Sequence, residues 1–149
     1  NAGCYVFSRE VINSIPRDTV VSVERETFPE LIRKTRRVFG YKEAAYWPDI
    51  GNPGALFKGS RDLVGEDFLV SPSAVVDSTA VLTGGTSIGA GAEIGAGALL
   101  DNCIVSAGAV VKPGAHLTRS FLAPAVLVEE GASFTDRYIS QNENLPIIF

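Results

Sequence analysis

Methionine is absent from the 149 residues, histidine and tryptophan occur once each, and cysteine occurs twice. A translated chain starts with Met, so a sequence opening on Asn1 leads us to expect a processed product or a piece of a longer protein. Cys4 and Cys103 sit in separate apolar stretches with no CxxC or Cys/His partner nearby. Both are expected to be buried free thiols, a state that suits a cytoplasmic location. No apolar run approaches the roughly 20 residues that a bilayer requires. Residues 1–7 lack the basic stretch of a signal peptide. Basic charge is in deficit as well, with 13 Lys and Arg against 17 Asp and Glu and a formal charge of −4, which excludes a broad nucleic-acid surface.

What is present divides unevenly. Hydrophobic residues make up 46% of the chain and charged ones 20%, enough apolar content for a packed core and too much for a disordered chain. Residues 1–64 carry a net charge of +2 and residues 65–149 a net of −6, and no aromatic occurs between Phe68 and Phe121. That shift predicts a boundary near Gly65, with domains at 1–65 and 66–139 and a tail at 140–149.

The second half is periodic. An aliphatic or aromatic residue recurs about every six positions at Val70, Val76, Leu82, Ile88, Ile94, Leu100, Val105, Val111, Leu117, Leu122, Val128 and Phe134. A small residue follows four places later, as at Ala74, Ala80, Thr86, Ala92, Ala98, Ala109, Ala115 and Ala132. The units beginning at Leu100 and Leu117 are one residue short, which predicts equivalent sides of neighbouring coils. Fixed-period self-similarity marks a solenoid, and this spacing predicts a parallel β-helix of about four coils at three units per coil. Glycines at 89, 91, 95, 97, 108 and 114 suit its tight corners. The pattern resembles the hexapeptide-repeat family, and that resemblance implies a left-handed winding.

The first half reads as a fragment of an α/β domain. Residues 2–7 have the apolar density of a strand buried on both faces. Ser8 is placed to cap a short helix with Val11, Ile12 and Ile15, ended by Pro16. A second helix is expected from Ser22 or Thr27, with Pro29 in its first turn and Phe28, Leu31, Ile32, Val38 and Phe39 inward. Arg33, Lys34, Arg36 and Arg37 would form its solvated face. Residues 41–47 suggest another strand. Asn52 then caps a helix with Pro53 at its first position and Leu56, Phe57, Leu63 and Val64 inward. Asp49 therefore falls between a strand end and a helix start, where open α/β sheets place ligands.

Three segments carry a more specific resemblance. Asn1-Ala2-Gly3-Cys4-Tyr5-Val6-Phe7, Ser22-Val23-Glu24-Arg25-Glu26-Thr27-Phe28-Pro29 and Tyr46-Trp47-Pro48-Asp49-Ile50-Gly51-Asn52-Pro53 resemble the carboxyl-terminal part of the sugar-nucleotide pyrophosphorylases. Mannose-1-phosphate guanylyltransferases and bacterial NDP-sugar synthases are the nearest of these. The resemblance covers residues 1–139, because those proteins also carry a hexapeptide β-helix behind a Rossmann-like nucleotidyltransferase domain. It implies transfer of a nucleotide from a nucleoside triphosphate to a sugar 1-phosphate with release of pyrophosphate. It places Asn1, Ala2, Gly3 and Glu24 at the sugar, and makes Asp49 catalytic as one of two carboxylates holding Mg²⁺. Bringing anionic phosphates together calls for a hard cation on carboxylate oxygens and for basic groups. Glu24 also has a structural reading, as a favourable charge in a first helical turn.

The departures bear on function. The Gly-rich nucleotide loop, the first metal Asp and the Glu-Lys pair of those enzymes have no counterpart here, and Pro48 stands where an aliphatic residue is usual. The chain alone is therefore expected to be inactive without an amino-terminal catalytic segment. Two other readings stand beside this one. Hexapeptide β-helices also serve as acyltransferases with a histidine base, for which His116 is the sole candidate. A purely structural solenoid for homo-oligomerisation or regulation is the other, since its coil ends need capping or pairing. Neither nucleic acid nor a membrane is expected as a partner.

Overall fold

Short strands from position 68 onward wind into a three-faced solenoid in a computed structural model that describes residues 1–149. The strands are β1 (Phe68–Val70), β2 (Val75–Val76), β3 (Val81–Thr83), β4 (Thr86–Ile88), β5 (Glu93–Ile94), β6 (Leu99–Asp101), β7 (Ile104–Val105), β8 (Val110–Val111), β9 (His116–Thr118), β10 (Phe121–Leu122), β11 (Leu127–Val128), β12 (Ser133–Thr135) and β13 (Arg137–Ile139). Every third strand pairs in parallel, giving the stacks β1-β4-β7-β10-β13, β2-β5-β8-β11 and β3-β6-β9-β12. All twelve repeat positions expected from the sequence lie on strands β1 to β12.

Register explains why the period works. Ile88 aligns with Val70 below and Val105 above, Ile94 with Val76 and Val111, and Leu100 with Leu82 and Leu117. Each face thus contributes one inward aliphatic ladder. Ile88, Ile94, Leu100, Val105, Val111, Leu117, Leu122 and Val128 are at most 3% exposed. Burying each contributes about 1.5–3 kcal/mol. Parallel strands this short form only because each has a neighbour one coil away to receive its ladder hydrogen bonds.

The short units sit where the third face turns into the first. Asn102, Arg119 and Asp136 occupy that corner with φ of 48°, 42° and 56°, and each N–H donates to a carbonyl one coil below: Thr83, Asp101 and Thr118. In the first coil the same corner holds Gly84 and Gly85, both at positive φ, which restores the sixth residue. Three small residues line the inside of this corner at 0% exposure: Thr86, Cys103 and Ser120. Thr86 Oγ1 donates to Thr83 O at 2.7 Å and accepts from Cys103 N at 3.1 Å. Cys103 Sγ donates to Asp101 O at 3.3 Å and receives the Ser120 N–H, and Ser120 Oγ donates to Thr118 O at 2.9 Å. Cys103 and Ser120 fill the small-residue slot, one place earlier than the six-residue period expects, because their sides are short.

Two compact units make up the chain, Asn1–Trp47 and Pro48–Phe149. The helix that precedes Gly65 packs on the solenoid and belongs to the second unit. That helix, α3 (Pro53–Val64), is capped by Asn52, whose Oδ1 accepts the Ala55 N–H at 2.9 Å. Phe57 is 3% exposed, whereas Leu63, expected inward, is 82% exposed. At its far end, a Cβ on Gly85 would stand 2.9 Å from Gly65 O and 3.1 Å from Arg61 Cγ, so the helix end presses on the Gly84-Gly85 corner. The tail forms β14 (Asn144–Pro146), antiparallel to β13.

In the first unit, α1 (Arg9–Ser14) follows the Ser8 cap as expected. A π-helical turn, Val23–Thr27, runs into α2 (Phe28–Thr35), which ends at Arg36 with φ 54°. Val38 and Phe39 therefore fall outside the helix, and Ile32 and Phe39 are exposed. Arg33 and Lys34 pair with Glu30 on the solvated face.

Several expectations for this unit are corrected. Residues 2–7 and 41–47 form no strand, and Val6 is fully exposed. Both segments have strand-like composition, but a ladder needs an adjacent strand, and none lies beside them. Cys4 is exposed rather than buried for the same reason. The first 65 residues hold helices and unpaired segments ahead of the parallel-strand solenoid, which is the main architecture expected from the sequence.

Candidate functional site

The π-helical turn sets the first group of site residues. Ser22 Oγ accepts the Arg25 N–H at 3.2 Å while Glu26 Oε1 accepts the Ser22 N–H at 2.9 Å, a reciprocal cap at the turn's start. Glu24 follows within that first turn. Phe28, next along the chain, packs its ring 5.0 Å from Tyr5 and 5.6 Å from Phe7. The aromatic cluster ties residues 5–7 to the turn and brings Asn1 with them.

Asn1 and Glu24, 23 positions apart, thereby meet: Asn1 Nδ2 donates to Glu24 Oε1 at 2.5 Å. Tyr5 OH donates to the same carboxylate oxygen and accepts from Asn1 Nδ2 at 2.6 Å. The hydrogen bond to Glu24 raises the Tyr5 pKa above its ordinary value. Gly3, at φ 70°, donates its N–H to Asn1 Oδ1 at 2.9 Å, so the Asn1-Ala2-Gly3 turn fixes the amide that reaches Glu24. Ala2 lies exposed within that turn. Tyr5 joins Asn1 and Glu24 although its neighbours in sequence read as a strand. A polar tip in an apolar run was the available signal. The three side chains present an amide, a hydroxyl and a carboxylate to solvent, a donor and acceptor set suited to a polyol.

Asp49 belongs to the second unit, on an exposed extended segment three residues before the Asn52 cap. Its carboxylate oxygens lie 3.7 and 3.9 Å from where a Cβ on Gly51 would stand. Ile50 Cδ1 lies 3.5 Å from the Gly59 Cβ position, so the segment packs along α3. No three His, Cys, Asp or Glu side chains converge as a metal cage. Mg²⁺ does not demand one, because it takes one or two carboxylates and fills its octahedron with water and substrate phosphates. As an exposed hard oxygen donor, Asp49 fits as one such ligand.

An apolar groove of about 450 Å³ lies beside this segment, lined by Ile50, Pro53, Phe57, Phe121, Tyr138 and Ile147 among others. Phe121 and Tyr138 stack there at 5.7 Å. His116 stands exposed on β9, in register with Leu99 and Ser133. Burial pushes the Cys103 thiol up to about 12, which leaves it no thiolate for chemistry. No helix is long and apolar enough to cross a membrane.

No family model matches the chain. Over 65 residues it is 52% identical to the mannose-1-phosphate guanylyltransferase of Mycobacterium tuberculosis, a stretch that is 43% of this chain and 18% of that protein. Among solved structures, the acetyltransferase domain of PglB from Neisseria gonorrhoeae is similar at 18% identity alone and 19% in complex with acetyl coenzyme A. Each comparison covers 66% of this chain and 68% of that domain, with TM-scores of 0.27 and 0.29, too low to bear on function. In sequence, the chain resembles the sugar-nucleotide pyrophosphorylases of the mannose-1-phosphate guanylyltransferase type, and in structure it carries a parallel β-solenoid of hexapeptide repeats.

Proposed function

We propose that this chain is the carboxyl-terminal portion of a nucleotidyltransferase that makes an NDP-sugar, GDP-mannose in the first instance, from a sugar 1-phosphate and a nucleoside triphosphate. The identity of 52% over 65 residues to a guanylyltransferase carries this reading. The meeting of Asn1 and Glu24 supports it, because residues assigned to the sugar by motif alone lie within hydrogen-bond distance. A phosphate oxygen of the sugar 1-phosphate attacks the α-phosphorus, and the bond to the β-phosphate oxygen breaks. Pyrophosphate then leaves with the electron pair.

In this scheme the Asn1 amide donates to a sugar hydroxyl and Glu24 accepts from one, holding the attacking phosphate in line. Ala2 and Gly3 bring the backbone close to the ring. Magnesium, held by Asp49 with a second carboxylate from the rest of the enzyme, supplies neutralisation of the charge that builds between the phosphates. The solenoid serves as a homo-oligomerisation face, and the protein works in the cytoplasm.

Incubating the chain with Mg²⁺, GTP and mannose 1-phosphate is expected to release no pyrophosphate. Adding a segment that bears the Gly-rich nucleotide loop is expected to restore release. Sustained release by the chain alone would sink the reading.

A further inference from the structure

Residues 140–149 have no repeat register, yet they grip the element that follows Asp49. β14 lies antiparallel on β13, and Ile147 N–H donates to Asp136 O at 2.8 Å, leaving Ile147 8% exposed. Phe149 then reaches α3. Its ring stands 5.5 Å from the Phe57 ring, edge to face, and its Cδ1 lies 3.5 Å from the Gly54 Cβ position. The Arg119 guanidinium stands 5.8 Å from the Phe149 ring and is itself held by Asp136 through bonds of 2.6 and 2.8 Å. Leu145, Pro146 and Ile147 share a groove with Ile50, Gly51 and Asn52. The tail therefore touches the segment after Asp49, the first turn of α3 and its core aromatic.

The other end of α3 is fixed at the Gly85 corner. A helix held at both ends is a rigid body, and Asp49 leaves it three residues before the cap. We propose that Phe149, seated by Ile147 and Arg119, is a positioning residue for Asp49: its hold on Gly54 and Phe57 sets where the carboxylate stands when it takes a cation. The inference rests on reading Asp49 as a magnesium ligand. Phe149 keeps 58% exposure, so one side of the ring makes these contacts. Contacts of that kind predict a change of about five- to tenfold when they are removed.

The test uses the whole 149-residue chain and Mn²⁺ alone as the probe. Amide exchange is followed at Ala55, Leu56 and Phe57, whose N–H groups are bonded in the first turns of α3, with Val105 and Val111 as references, and Mn²⁺-induced line broadening is followed at residues 49–51. Phe149→Ala is expected to speed exchange at residues 55–57 about five- to tenfold, leave the references unchanged and cut the broadening severalfold. Phe149→Tyr should restore both. Asp49→Asn should abolish the broadening with exchange unaltered. Unchanged exchange in Phe149→Ala would overturn the clamp. Faster exchange with full broadening would overturn the positioning role. Broadening that survives Asp49→Asn would instead overturn the assignment of Asp49 to metal.

Discussion

Cys103 shows how one residue can be chemically silent and structurally specific. Its thiol occupies the same corner slot as Thr86 and Ser120, donating to a carbonyl two residues earlier and accepting from the next coil. Cys103→Ser keeps both bonds and is expected to be nearly neutral. Cys103→Ala leaves the Ser120 N–H buried without an acceptor and should cost about 1–2 kcal/mol in urea unfolding. Thiol titration of the native chain should label Cys4 alone, with Cys103 reacting after denaturation. Burial raises the thiol pKa from its ordinary 9.0 to about 12. The unfolded thiol therefore loses its proton first as pH rises. Its stabilising contribution is complete below pH about 9 and falls by roughly 1.4 kcal/mol per unit toward 12. The pH slope of stability for Cys103→Ser should lack this component.

At the scale of elements, corner glycines divide into two kinds. At Gly95 an added Cβ would meet Pro113 N at 2.7 Å and Pro113 Cδ at 2.9 Å, atoms of the next coil that cannot yield. At Gly97 nothing lies within 4 Å, and the obstacle is φ of 64°. Gly95→Ala is therefore expected to cost about 2–3 kcal/mol through overpacking. Gly97→Ala should cost about 1–2 kcal/mol through the left-handed backbone alone. Denaturant midpoints of the two variants would rank them, and equal losses would show that backbone conformation governs both corners. The short side offers a contrast, because Asn102, Arg119 and Asp136 accept positive φ there without glycine.

At the scale of the molecule the two units differ in what holds them. The second has an unbroken column of buried aliphatics from Leu82 to Ile139. The first has no buried residue in its helices, and its apolar side chains line an open cleft of about 800 Å³ that includes Val11, Ile15, Leu31 and Val38. Limited proteolysis should therefore remove residues within 1–47 first and leave a resistant product close to 48–149, read by intact mass. Survival of both units to the same protease dose would contradict this. Homo-oligomerisation through the solenoid predicts a light-scattering mass well above the 15.8 kDa of one chain.

The solenoid was legible from the sequence because its period is local. One inward aliphatic per side and a small residue at each corner follow from a coil of 17 or 18 residues, whichever neighbours surround it. The caps at Ser8, Ser22 and Asn52 were legible on the same ground, since each satisfies backbone groups within a few residues. Residues 2–7 and 41–47 have strand composition and form no strand, because strand formation depends on a partner that composition cannot supply. Only the tertiary structure decided that α3 belongs with the solenoid, that Tyr5 joins Asn1 and Glu24, and that Phe149 returns to Phe57, 92 positions earlier. Those contacts join residues far apart in the chain, and a repeat period encodes nothing about them.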